Sequence, residues 1–105
     1  MEDRQEIKDK IQRRRLQMLV HSHIYYQLND SIVSDHDFDT WAKELVELQE
    51  KYPEEASEVV YHRDFIGFDG SSGYDLPYND PYIHSKAVQL LRYRRELNET
   101  NIHKG

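Results

Sequence analysis

The sequence predicts a mainly α-helical single domain spanning residues 1–105: a helical hairpin, a third C-terminal helix and a long aromatic, glycine-containing loop between them. Three observations carry this. Apolar residues recur at helical spacing in three separate stretches. Capping residues and prolines stand at the joints between those stretches. Residues 67–77 hold three glycines and a proline, which interrupt any helix there.

The first helix is expected over residues 2–28. Ile7, Ile11, Met18, Tyr25 and Leu28 recur at mixed three-, four- and seven-residue spacing, and Leu19 and Ile24 widen the stripe. Lys8, Lys10 and Arg13-Arg14-Arg15 read as a solvated face, and Asn29-Asp30-Ser31 as a turn. Ser34 is the expected cap of the second helix, with Asp37 three residues on in a capping-box-like arrangement. Asp35 and Asp37 suit the positive end of the helix dipole. Phe38, Trp41, Leu45 and Leu48 follow on one face, and Tyr52-Pro53 stops the helix.

Residues 54–60 are open between a short helical turn and the start of a strand, and a short hairpin over 59–68 is one option. The loop covers 55–80, and its Phe65, Phe68, Tyr74 and Tyr78 are suited to pack over the helices. Loops of this length in small domains are often functional. Asp80-Pro81 starts a third helix, expected over 81–97, with Ile83, Ala87, Leu90, Leu91 and Leu97 on its apolar face. Arg92, Arg94 and Arg95 lie near its negative end, and residues 98–105 are expected to fray.

The net charge of -6 is unevenly spread. Residues 1–29 hold six Lys/Arg against four Asp/Glu, residues 30–80 three against fourteen, and residues 81–105 five against two. The acidic middle disfavours direct nucleic-acid binding, which needs clustered cations. It suits either a solvated face or a basic protein partner. There is no cysteine, so disulfides, thiolate metal sites and cysteine catalysis are excluded. No apolar run approaches the roughly 20 residues needed to span a bilayer. The N-terminus lacks a signal peptide's apolar segment. The reading is cytoplasmic.

Residues 25–39 are the informative stretch. Paired tyrosines, Tyr25 and Tyr26, end one helix. After a short turn the next opens with Asp35, Phe38 and Asp39, whose three- and four-residue spacing places them on one face. Rings beside acids can hold a flat cationic ring by stacking and cation–π attraction. The carboxylates can accept hydrogen bonds from ribose hydroxyls. Equally, Tyr25, Phe38 and Trp41 can be core residues of a helical hairpin, and Asp35 a capping residue.

Tyr25-Tyr26, a turn ending in Val33-Ser34, then Asp35-x-x-Phe38-Asp39 resembles the N-terminal Ia module of bacterial NAD-dependent DNA ligases. The resemblance continues through Glu44-Leu45, Leu48 and Lys51-Tyr52-Pro53-Glu54, covering about residues 7–54. It implies a helical hairpin recognising the nicotinamide mononucleotide (NMN) half of NAD. It assigns Tyr25 to stacking on nicotinamide, and Tyr26 to a position where the family uses His or Tyr. It places Asp35 and Asp39 on the nicotinamide-ribose side, with Phe38 as the second ring. Phe38 replaces the family's Tyr, Ser31 its usual Pro and Asn29 a common Asp. The Lys-x-Asp-Gly nucleophile is absent: Asp69-Gly70 has Gly67 at the lysine position. Residues 60–105 match nothing in the ligase pattern.

The expected function is therefore a ligase Ia-like module binding NMN or NAD, without nucleotidyl transfer of its own. A freestanding module of this kind suits a phage or other mobile element, acting beside a ligase or sequestering the nucleotide in a bacterial host cell. The alternative is an interaction protein, such as an anti-CRISPR or other host-protein inhibitor. It would contact a basic nucleic-acid-handling or defence protein through its acidic face and through Phe65, Phe68, Asp69, Tyr74 and Asp75. No metal is expected: His21 and His23 point to different sides of a helix, and the other histidines are scattered.

Overall fold

The computed structural model describes residues 3–70 and 76–104, with side chains described as far as Leu97. Its elements are α1 (Arg4–Tyr26), α2 (Asp35–Lys51), the short α3 (Pro53–Ser57), a 3-10 turn (Arg63–Phe65) and α4 (Pro81–Lys104). No strand occurs among the described residues. None of the helices is long and apolar enough to cross a membrane. The mainly helical fold class predicted above is the one observed.

The helix ends follow local chemistry. Asp3 caps α1 by accepting from the Gln5 amide at 3.1 Å, so this helix begins two residues later than expected. Ser34 caps α2, its Oγ accepting from the Asp37 amide at 3.0 Å. Tyr52-Pro53 ends α2 as predicted, and Pro53 then opens α3, since a first-turn proline has no amide to leave unpaired. The option of a hairpin over 59–68 is not taken. The chain instead makes the 3-10 turn and reverses at Gly67 and Gly70, both in the left-handed region at φ 77° and 82°. Gly70 also lies close against Ala42 and Val46 of α2.

α1 is the central element and packs against α2, α3 and α4. Ile7, Ile11, Met18 and Leu19 meet Ala42 and Leu45 of α2, Ala56 and Val59 at α3, and Ile83 of α4. Phe65, Leu76 and Tyr78 close the core from the loop, and Phe68 packs against it. The loop aromatics therefore cover the helices as expected, except for Tyr74, which lies outside the described residues.

Three expectations are corrected. The arginine cluster is a solvated face only at Arg13: Arg15 is 1% exposed, and Arg14 is held by Glu44 with its guanidinium 5.9 Å from the Trp41 ring centre. Arg15 donates to the carbonyls of Ala56, Val59 and Val60 at 3.0–3.1 Å and to Gln49 Oε1 at 2.9 Å. It lies four residues after Ile11 and three before Met18, on the buried stripe itself. Desolvation pushes its pKa down to about 10, so it keeps its charge at neutral pH. Second, Leu97 is 47% exposed and adds nothing to the core. Third, α4 continues through residues 98–104, because no glycine or proline interrupts it before Gly105.

Candidate functional site

The site forms where α1 ends and α2 begins. α1 ends at Tyr26, and the turn that follows passes through Asn29 in the left-handed region at φ 52°, a conformation asparagine adopts at low cost. The Asp30 amide donates back to the Ile24 carbonyl at 3.1 Å. Ser31 occupies the position where a proline ring would stiffen the turn. Its amide donates to Asp30 Oδ1 at 2.7 Å and its hydroxyl to the Val33 carbonyl at 2.9 Å. These two bonds hold the turn in another way. From the far side, Arg94 of α4 donates to the Ile32 carbonyl at 2.9 Å.

This turn and the two helix ends enclose a cavity of about 210 Å³. All five residues picked out for ligand binding line it: Tyr25, Tyr26, Asp35, Phe38 and Asp39. Tyr25 is 59% exposed and meets Tyr26 edge-on, with ring centres 4.9 Å apart. Tyr26 in turn stacks on the buried Tyr78, with centres 5.5 Å apart and planes 24° from parallel. Phe38 is half-buried and packs against the core, which fixes its ring. Asp35 opens the first turn of α2 and Asp39 lies one turn on, and both are exposed. The alternative of Tyr25 as a core residue is therefore not what the fold adopts. Phe38 and Trp41 do pack on the core, so Phe38 serves both core and cavity.

The arrangement has definite chemical capacities. A flat ring can stack on Tyr25 or Phe38. Two carboxylates supply acceptors for sugar hydroxyls, and with no Lys or Arg in the lining they favour a cationic ring. The volume lies below the roughly 300–1,000 Å³ of sites for drug-sized ligands, which suits half a dinucleotide better than a whole one.

Two further lining residues escaped the sequence reading, His21 and Ser22. They precede Tyr25 and Tyr26 by four residues each, a spacing that places each pair on one helix face. The His21 ring lies 5.5 Å from that of Trp41, and burial lowers its pKa below the ordinary 6.5. His23, in contrast, turns away. Its Nδ1 lies 2.6 Å from the Tyr78 carbonyl, so that nitrogen carries the proton, and its Nε2 lies 2.9 Å from His84 Nδ1. Among the described residues no group of three or more His, Cys, Asp or Glu is placed to hold a metal ion.

The residues picked out for partner binding do not assemble in the same way. Phe65 is 1% exposed and sits in the core, so it is unavailable to a partner; its ring meets Phe68 edge-on at 5.2 Å. Phe68 is half-buried and Asp69 exposed. Tyr74 and Asp75 lie outside the described residues.

The cavity lies within the stretch that comparison with known proteins matches. The family model described as "DNA ligase-like, N-terminal NAD+-binding domain" matches residues 4–58, just over half of the chain. The chain is similar to the DNA ligase of Thermosipho africanus, with 38% identity over 52 residues, 50% of this chain and 8% of the ligase. Similarity to the DNA ligase of Pseudothermotoga lettingae is 42% over 50 residues, 48% of this chain and 7% of the ligase. For the DNA ligase of Petrotoga mobilis it is 44% over 48 residues, 46% and 7%. The chain thus spans less than a tenth of the length of these relatives. No solved structure matches.

Proposed function

The chain belongs to the DNA ligase-like, N-terminal NAD+-binding domain family, and we propose that its cavity holds the NMN half of NAD+. Tyr25 stacks on the nicotinamide ring, Phe38 forms the opposite apolar wall, and Tyr26 is held in place by Tyr78. Asp35 and Asp39 accept from the ribose hydroxyls and favour the positive charge of the pyridinium. The observation that carries this reading is the convergence of all five residues on one cavity of about 210 Å³.

These 105 residues bind without transferring the nucleotide. Adenylate formation by a ligase needs a lysine amine to attack the α-phosphate. No Lys-x-Asp-Gly occurs here, and Gly67, at the position the lysine would take, is a left-handed turn residue with nothing to offer a nucleotide. On this reading the module supplies recognition rather than chemistry.

The test is a titration with NMN and NAD+, followed by calorimetry and by tryptophan fluorescence. Trp41 is a suitable reporter because its ring contacts His21, which lines the cavity. Saturable binding that Asp35→Ala abolishes supports the reading. No binding at millimolar ligand refutes it and leaves the alternative, an interaction protein docking a basic partner.

A further inference from the structure

Among the described residues, two buried polar side-chain atoms, His21 Nδ1 and Ser22 Oγ, have no hydrogen-bond partner. Both residues line the same cavity, and Ser22 is 2% exposed. A buried hydroxyl normally finds a partner, and a helical serine has its own helix's carbonyls within reach. Ser22 does not use them. Two adjacent residues of the cavity lining thus each carry a buried polar atom whose hydrogen-bonding capacity the chain itself does not use.

We propose that Ser22 Oγ and His21 Nδ1 read the uncharged carboxamide of the nicotinamide ring, and that this pair makes the site select nicotinamide mononucleotide over nicotinate mononucleotide. The inference rests on the proposed NMN site. A carboxamide offers one carbonyl acceptor and two N–H donors. Ser22 donates its hydroxyl proton to the amide oxygen. His21, with its proton on Nε2, accepts an amide N–H at Nδ1.

A carboxylate in the same place has no proton to give His21 and sets its charge against that lone pair. It also enters a cavity lined by Asp35 and Asp39 and by no Lys or Arg. Burial keeps His21 neutral at physiological pH, so the imidazole does not convert into a cation that would welcome the acid. A site built to hydrogen-bond an N–H rejects the analogue that lacks it strongly, because its own polar group stays unpaired.

The experiment compares NMN and nicotinate mononucleotide by calorimetry on the wild-type chain, on Ser22→Ala and on His21→Phe. Thermal melting of each protein without ligand runs alongside. The wild type is expected to prefer NMN by about tenfold or more. Ser22→Ala should weaken NMN about five- to tenfold while melting no lower than wild type, since it deletes an unpaired hydroxyl. His21→Phe keeps a ring against Trp41 and should narrow the preference between the two nucleotides. Equal wild-type affinity for both nucleotides overturns the inference, as does wild-type NMN affinity in both variants. Failure of the wild type to bind NMN at all refutes the NMN site itself, and the inference with it.

Discussion

Replacing Arg15 by methionine should cost the fold about 3 kcal/mol, and the structure shows where that figure comes from. The guanidinium closes the end of α3 by donating to three carbonyls, and it lies 5.7 Å from the centre of the Phe65 ring. Methionine restores most of the packing on Phe65 but none of the donors. The bonds to Ala56 and Val59 are buried, whereas Val60 is half-exposed and can turn to water. The Val59 carbonyl is left unpaired, at roughly 1–3 kcal/mol, while the Ala56 carbonyl keeps the Val59 amide at 3.3 Å and loses one bond, at about 0.5–1.5 kcal/mol. The middle of the summed range is about 3 kcal/mol. In a domain of this size about 3 kcal/mol corresponds to a melting point lower by roughly 12–24 °C. Urea titration followed by circular dichroism at 222 nm measures it directly. Arg15→Lys should recover little of the loss, because an ammonium on a flexible stem cannot span acceptors arranged for a planar fork. A methionine variant within about 1 kcal/mol of wild type would refute the argument that these carbonyls depend on Arg15.

Other predictions are as direct. Burial holds His21 below its ordinary 6.5, so between the folded value and 6.5 the unfolded chain binds more protons. Stability should therefore fall as pH drops through 6.5, and His21→Phe should flatten that arm of a pH series of urea melts. Ser34→Ala removes the α2 cap and should cost about 1 kcal/mol in the same assay. Arg94→Ala releases the Ile32 carbonyl and should weaken NMN severalfold while changing the melting point little, because the bond is exposed.

The second helix was the most legible element. A cap, an acidic first turn, four apolar residues on one face and a terminal Tyr52-Pro53 all agree, and each acts within a few residues of itself. The cavity was legible for the same reason: its five residues lie within fifteen positions on two helix ends joined by one turn. Arg15 was not, although its place on the α1 stripe hinted at burial. The carbonyls that make an arginine tolerable there arrive from 41 to 45 residues away. Phe65 was read both as packing over the helices and as a partner contact, and only the first holds, because an aromatic in a glycine-containing loop looks the same whether it faces inward or outward. The continuation of α4 past Leu97 carries no cap or periodic apolar face to announce it. His21 and Ser22 were passed over because their significance lies in bonds they do not make.

The stack of Tyr26 on Tyr78 and the bond from Arg94 to Ile32 have a bearing on transplantation. Both supports come from beyond residue 58, where the family match ends, yet each bears on the wall of the cavity. Residues 21–39 grafted onto a foreign helical hairpin would keep the recognition side chains but lose the buttress behind Tyr26 and the strut behind the turn. Portability therefore requires the ring and the guanidinium to travel with the motif, or a host helix that supplies equivalents.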